Sequence, residues 1–499
     1  MERRTALLVL IILTFGLRLA FSLSTPGYST DESYFYLRQA DSIAHTGHAL
    51  WYDELSYGGR GYVFIPIFSY LLAPFINSEM LTKVLLAVLA MTSVVLVYLI
   101  SERITRNTTA SLFGALAAAI MPITYAHTLN DLTPLALFAP LMLWLLYSFL
   151  RSGNAKWTIN YLLALAILIL LDPLIIVFAL GLSIYLIILY FERLDQSQKE
   201  VELTLFTLFF VIWMLFVVYK EVFALHGSAV IWKNTPLALL AEQFQELTIG
   251  RLIYGIGVIP FLFGLGTLYA HLFEQKHRAA YLIIGQVIAF TVLLWLRLLA
   301  ISDGLVILGL LLAILFSRAY QLFGDYLLST KFARYRQAIL TITVILLITT
   351  SGVSAVASAF VQLQETPTSH EREALSALRA LQPANATVLA YVEEAHIVSA
   401  LTGHPTVLDS KFLGIPNSER IYEDHKRMFS TGLEIDAVEL FDKYHVRYVY
   451  FSPTVRETLG IEELRYLSNE QCFSTVFDND VVQIIEKNPL CKVRIIETT

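Results

Sequence analysis

Three carboxylates stand out by the residues around them. Asp31 and Glu32 are adjacent in Tyr28-Ser-Thr-Asp31-Glu32-Ser-Tyr34-Phe-Tyr36-Leu-Arg38-Gln-Ala-Asp41, and Asp131 closes Ala126-His127-Thr128-Leu129-Asn130-Asp131 ahead of Thr133-Pro134. A carboxylate can take a proton from an acceptor hydroxyl, and nearby cations can stabilise a leaving phosphate. Arg38, Arg60 and Arg297 are the basic candidates for that second task. A plainer reading stands beside it: Ser29 or Thr30 caps a helix that begins at Asp31, with both acids favoured in its first turn. On such a helix Tyr34, Arg38 and Asp41 follow Asp31 at steps of three and four, on one face. His127 precedes Asp131 by four residues and would share a helical face with it. That leaves a metal site open, although no spacing matches a recognised ligand motif. Arg18, inside an apolar run, either snorkels or pairs with an acid. Asp172 before Pro173 and Asp303 before Gly304 read as ordinary helix starts and turns.

The elements that carry these groups follow from composition. The chain has 499 residues, 56% hydrophobic and 15% charged. The charge is uneven: residues 362–499 are about 25% charged, as in soluble domains, and residues 1–361 about 12%. A polytopic membrane protein with a soluble C-terminal domain is implied. A single soluble enzyme, a disordered chain, a disulfide scaffold and a porin are excluded, the last because the apolar runs are long rather than short and alternating. No basic footprint for nucleic acid is present. Eleven segments are candidates to span, near 5–24, 80–100, 108–125, 132–150, 157–171, 174–191, 202–219, 252–272, 279–297, 304–318 and 338–361. With the N terminus in the cytoplasm, 14 of the 22 Lys and Arg of this part fall in inner loops, Arg3, Arg103, Lys156 and Arg334 among them. Asp31, Glu32 and Asp131 then lie on the outer side, where acids at the rim of an apolar bundle suggest function. Outer loops 25–79 and 220–250 are long and rich in aromatics, and are expected to lie on the membrane surface.

Residues 362–499 read as a small extracytoplasmic α/β domain. Helices are expected at 371–381, 393–401 and 434–444. Strands are expected at 387–392, 406–408 and 446–451, with a hairpin of 473–477 and 481–486 around Asp478-Asn479-Asp480. The expected role of the domain is to bind acceptor or cap the active-site face. Cys472 and Cys491 could pair or stay free.

On these residues the chain resembles the GT-C superfamily of polyprenyl-phosphate-dependent glycosyltransferases. The Asp31-Glu32 pair after the first span is similar to that of protein O-mannosyltransferases and aminoarabinose transferases. The run Tyr34…Ala40-Asp41…Ile43…Gly47 and then Pro66-Ile67-Phe68 resembles the rest of their first loop, and Asn130-Asp131-Leu132 their second acidic position. The resemblance implies a glycosyltransferase with about eleven spans, with Asp31 as base and Glu32 and Asp131 supporting it or binding acceptor. It implies Arg60, Arg297 and Arg38 for the donor phosphate, and Tyr34, Asn130 and His127 as acceptor or support residues. The donor would be a sugar on polyprenyl or dolichyl phosphate, mannose among the candidates, and the acceptor a protein, glycan or lipid. The chain departs from the aminoarabinose transferases at Val63-Phe64-Ile65-Pro66-Ile67, where they carry Lys-Pro-Pro-Leu. Tyr57-Gly-Gly-Arg60-Gly61 is similar to the first loop of oligosaccharyltransferases, which depend on a divalent metal such as Mg or Mn. Their Trp-Trp-Asp-Tyr-Gly signature is absent from residues 362–499, which contain no Trp. A metal-dependent oligosaccharyltransferase-like enzyme, a lipid transporter and a non-catalytic binding or assembly protein are the alternatives. The membrane is a plasma membrane or that of the endoplasmic reticulum.

Overall fold

The computed structural model of the protein describes residues 3–56, 58–62, 65–245, 248–468 and 471–491. Val63 and Phe64 of the departing stretch lie outside them. The chain forms two compact units. The first comprises Met1–Pro26, Asn77–Lys220 and Glu242–Glu365; the second comprises Gly27–Ile76, Glu221–Ala241 and Thr366–Thr499. Residues 366–499 are therefore joined in one unit by most of the first long loop and part of the second, while 362–365 fall with the helical unit.

The first unit is a helical bundle, and each of the eleven apolar segments is helical. Among the described residues six helices are long and apolar enough to cross a membrane, or up to eight if each of two bent pairs is one span. Pro122 and Gly257 mark the bends, 45° between Thr108–Ala119 and Pro122–Thr128, and 99° between Ile249–Ile256 and Val258–Phe273. Gly257 takes φ +95, which a residue with a Cβ rarely adopts. Pro134–Phe149, Ala155–Leu171 and Ile175–Phe191 are shorter apolar helices of 16 or 17 residues. At about 1.5 Å per residue they reach less than the roughly 30 Å of a hydrocarbon core. The protein is an integral membrane protein with a mostly helical fold.

Packing accounts for the order of the bundle. Ile301–Leu328 is buried all the way round from Gly304 to Ser317, so it runs through the core rather than along its edge. Elsewhere small residues let backbones approach. A Cβ on Gly285 would lie 2.6 Å from the carbonyl oxygen of Gly181 on the neighbouring helix. Without a hydrophobic force between helices in lipid, such close contacts and a few polar bonds hold the bundle together. One such bond is the Gln286 Nε2 donation to the Phe178 carbonyl at 3.1 Å.

The second unit is built on a four-stranded sheet. A hairpin in the first loop supplies β1 (Tyr52–Asp53) and β2 (Arg60–Gly61), and the sheet proper follows with β3 (Thr387–Leu389), β4 (Val446–Phe451), β5 (Phe473–Asp478) and β6 (Gln483–Lys487). Its order is β3-β4-β6-β5, with β3 parallel to β4 and the other pairs antiparallel. Alternate residues enter opposite cores, as the two-residue period of a strand requires. Leu389, Val449, Phe451 and Ile485 face helices Ser418–Ser430 and Glu434–Lys443. Val388, Tyr448, Tyr450 and Ile484 face helix Ser369–Ala380. Both faces are covered, which explains the continuous apolar character of 448–451. Thr406–Leu408, expected as a strand, makes only isolated bridges, Thr406 to Val388 and to Ser56. Cys472 and Cys491 form a disulfide across 19 positions. Closing a loop of that size contributes about 3 kcal/mol. Cys472→Ser should therefore lower the unfolding midpoint of this unit in a thermal melt, by the same shift that reductant produces in the unaltered protein; an unchanged melt would contradict it.

Candidate functional site

The helix Asp31–Thr46 starts as the sequence implies. Thr30 caps it through the Ser33 N–H, and Gly47 ends it at φ 79. Both acids fall in its first turn, but Asp31 does not face its own helix. Its Oδ1 accepts the backbone N–H groups of His396 at 2.7 Å and Ile397 at 3.0 Å, and its Oδ2 accepts the Ser410 hydroxyl at 3.2 Å. Asp31 thus caps the helix Ala395–Thr402 from 365 residues away. The helix's own N-cap position, Glu394, supplies no side-chain capping bond. Orphan N–H donors at a helix start welcome an anion. Burial nevertheless draws the Asp31 carboxyl well above the usual carboxylate range; the Ile397 and His396 N–H groups oppose this and the charge of Asp409 adds to it.

Its neighbour behaves oppositely. Glu32 is partly exposed and pairs with Lys411, whose ammonium also lies 5.1 Å from the Phe35 ring centre and 5.2 Å from that of Tyr36. Burial works to raise Glu32 too, but Lys411 and then Lys233 outweigh it and hold the carboxyl below its usual value. Around this pair lie buried ion pairs. Arg60 reaches Asp409 at 2.8 Å and stacks over Tyr62, and Ser56 hydrogen-bonds both partners. Arg38 reaches Asp53 at 2.5 Å and donates to Ser399. Two of the three arginines expected at a donor phosphate are therefore held by carboxylates. Burial, then Arg38, Lys411 and Arg60, keep the His396 imidazole neutral by lowering its pKa well below the usual value. Tyr34 is buried, accepts the Tyr28 N–H at 3.3 Å, and sits against Gly27, where a Cβ would lie 2.8 Å from its hydroxyl.

Asp131, Asn130, His127 and Arg297 belong to the first unit. Asp131 is buried in the link between Pro122–Thr128 and Pro134–Phe149, and Thr133 donates to it at 3.5 Å. Asn130 takes φ 55 and accepts the Ser22 hydroxyl at 3.2 Å. His127 lies in the last turn of its short helix. Arg297 is exposed at φ 58, 5.6 Å over the Phe244 ring. The expected residues thus form two groups, Asp31, Glu32, Tyr34, Arg38 and Arg60 in one unit and the rest in the other.

The residues that complete the first group were not foreseen. His396, Asp409, Ser410 and Lys411 are more than 340 positions from the loop they bind, and no local spacing links them to it. The run Asp409-Ser410-Lys411, polar directly after apolar Thr406–Leu408, was the available signal. As held here, Asp31 does not fit a metal ligand: three donors already fill most of the roughly four lone-pair positions of a carboxylate. Among the described residues one set of three potential ligand atoms converges, Glu434 with Cys472 and Cys491, whose sulfurs are joined to each other.

The comparisons agree with this architecture. The family model described as dolichyl-phosphate-mannose-protein mannosyltransferase matches residues 61–219, less than half of the chain and downstream of Asp31-Glu32. No curated protein matches by sequence. The oligosaccharyltransferase of Archaeoglobus fulgidus, in its apo form, is similar in structure with TM-score 0.72 at 15% identity, over 91% of this chain and 70% of that one. ArnT from Cupriavidus metallidurans bound to undecaprenyl phosphate gives 0.54 at 13% identity, over 98% of each chain. The arabinofuranosyltransferase AftD from Mycobacteria gives 0.57 at 13% identity, over 98% of this chain and 40% of that one. The fold is that of a mostly helical membrane protein with a small C-terminal sheet domain, similar to these structures. The chain shares its fold with these three proteins, and part of it matches the mannosyltransferase family model.

Glu394 offers a test of this environment. It is buried, accepts the Ser452 hydroxyl at 2.6 Å, and burial raises its pKa from 4.5 to about 7. A carboxyl raised in the folded state stabilises the fold fully below its unfolded pKa, and that stabilisation is lost as pH rises to the folded value. Between pH 4.5 and 7 Glu394 should therefore cost the fold on the order of 3 kcal/mol. Glu394→Gln should flatten that part of the stability-against-pH curve, measured by denaturant melts; a curve parallel to the unaltered protein's would refute it.

Proposed function

We propose that the chain transfers a sugar from a polyprenyl-phosphate donor to an extracytoplasmic acceptor, with Asp31 as base. The observation that carries this reading is the divergence of two adjacent carboxylates, Asp31 drawn towards the protonated form and Glu32 held ionised by lysine. Environments that push paired titratable groups apart are how one site obtains distinct acid–base roles. In this scheme Asp31 takes the acceptor hydroxyl proton as that oxygen attacks the anomeric carbon. The bond from that carbon to the phosphate oxygen breaks, and the phosphate leaves with the bonding pair. Lys411 is also paired, with Glu32, but its side chain is more exposed than those of Arg60 and Arg38, and with Lys233 near the same carboxylate it suits the leaving charge better. Glu32 then fixes Lys411, and Asp131 serves the acceptor. Asp31 is freed for this work only if the His396–Ile397 helix start yields to substrate.

The relatives support the donor class. ArnT was solved with undecaprenyl phosphate and the archaeal oligosaccharyltransferase with a dolichol-phosphate. The same archaeal enzyme was also solved with Zn and sulfate, which favours a metal-dependent second reading. The charge of the inner loops and a disulfide suited to an oxidising compartment support a cytoplasmic N terminus and an outer sheet-bearing unit.

The deciding experiment is transfer of labelled mannose from polyprenyl phosphate to membrane-extract acceptors by the full chain, Asp31→Asn and Lys411→Met. Loss of about 100-fold or more in Asp31→Asn, with activity kept in chelator, is expected of a carboxylate base. Loss in chelator would transfer the protein to the metal-dependent reading. Equal rates for Asp31→Asn and the unaltered chain would sink the site.

A further inference from the structure

Among the described residues two cations are buried in the helical unit, and the site described above uses neither. Arg18 is 4% exposed and Lys83 1% exposed. Burying a charge in a membrane bundle is costly and needs a reason. Their contacts form one chain. Lys83 Nζ donates to the carbonyls of Ser22 at 2.8 Å and Thr25 at 2.6 Å, and pairs with Glu79 at 2.6 Å. The Ser22 carbonyl is an orphan in the last turn of the helix Arg3–Leu23, where a cation is favoured, and the Thr25 carbonyl lies just beyond that end. That helix end carries Ser22, and Arg18 lies four positions before it on the same face. Arg18 Nη1 donates to the Thr128 hydroxyl at 3.0 Å and its carbonyl at 3.4 Å, and the guanidinium lies 4.5 Å over the Tyr125 ring. Ser22 Oγ donates to Asn130 Oδ1 at 3.2 Å. Two consecutive turns of one helix thereby grip Thr128 and Asn130, and Asp131 is the next residue.

A ligand-binding role for Arg18 fits less well. The cavity it lines with Ser93, Thr124 and Thr128 measures about 20 Å³, room for about one water. We infer that Arg18, Ser22 and Lys83 are positioning residues that hold the Asn130 backbone at its positive φ and so aim Asp131. The inference rests on the reading of Asp131 as a working residue. Asn130 at φ 55 costs conformational energy that outside contacts must offset.

The test uses the purified full chain and labelled mannosyl polyprenyl phosphate, with Arg18→Met, Arg18→Lys, Ser22→Ala and Asp131→Asn. Arg18→Met should lower kcat on the order of 100-fold, with donor KM changed little, since a small misplacement of a reacting group has that effect. Arg18→Lys should recover most of it. Combined with Asp131→Asn, Arg18→Met should add no further loss, because it acts through Asp131; an additional loss would indicate general damage and overturn the inference. Ser22→Ala removes one hydroxyl and keeps the test alive if Arg18→Met does not fold. Amide hydrogen exchange gives a readout independent of activity: residues 129–133 should exchange faster in both variants while the rest of the bundle is unchanged. Unchanged exchange at 129–133 would overturn the inference. Faster exchange there with full activity in Asp131→Asn would instead leave the positioning intact and sink the role given to Asp131.

Discussion

The Asp31 carboxylate at the start of the helix Ala395–Thr402 is the contact on which the second unit is organised. A charged acceptor that takes two backbone N–H groups and a hydroxyl is worth more than neutral hydrogen bonds, about 1.5–3 kcal/mol each before desolvation is counted. Around it the loop and the tail exchange a series of pairs, Arg60 with Asp409, Glu32 with Lys411, and Arg38 with Ser399. None of these is satisfied within one segment. Without the tail Arg60 and Glu32 would lose the ion pairs seen here, whereas Arg38 would keep Asp53, and the tail would leave a helix start bare without the loop.

This arrangement sets a tension in the proposed chemistry. The donors that position Asp31 favour its ionised form, while burial and Asp409 favour the protonated one. A base needs both a fixed place and a raised affinity for protons. Glu32, one residue away, has neither, because it meets lysine and solvent. The two carboxylates separate by the direction in which each leaves the helix, not by their chemistry.

Much of the architecture was legible in the chain. Apolar runs located the eleven helical stretches of the bundle, though not the breaks within 108–125 and 252–272, since a spanning segment must satisfy its backbone internally and advertises itself by composition. The Thr30 cap, the Gly403 helix end and the hairpin at 478–480 were legible because each is a local matter of backbone conformation. What the chain hid was pairing at long range. Arg38 and Arg60 look like phosphate ligands in sequence, and only the fold shows that Asp53 and Asp409 already hold them. Lys83 was different: a lysine within an apolar helix is a signal in its own right, and it passed unremarked because it stands near the segment's end. The Thr406–Leu408 strand failed because three apolar residues beside a sheet edge need not continue the ladder.

The span between Asp31 and its partners also orders events at the ribosome. Translation adds roughly 5–20 residues each second. The 365 residues from Asp31 to His396 therefore take on the order of 20–70 s to make. Through that interval the nascent chain inserts its helices one after another with the acidic loop unanchored. A chain truncated before the tail would insert in the membrane and yet never assemble the surroundings that raise the proton affinity of Asp31. Synthesis thus carries its own safeguard: Asp31 acquires its raised proton affinity only once the tail is made.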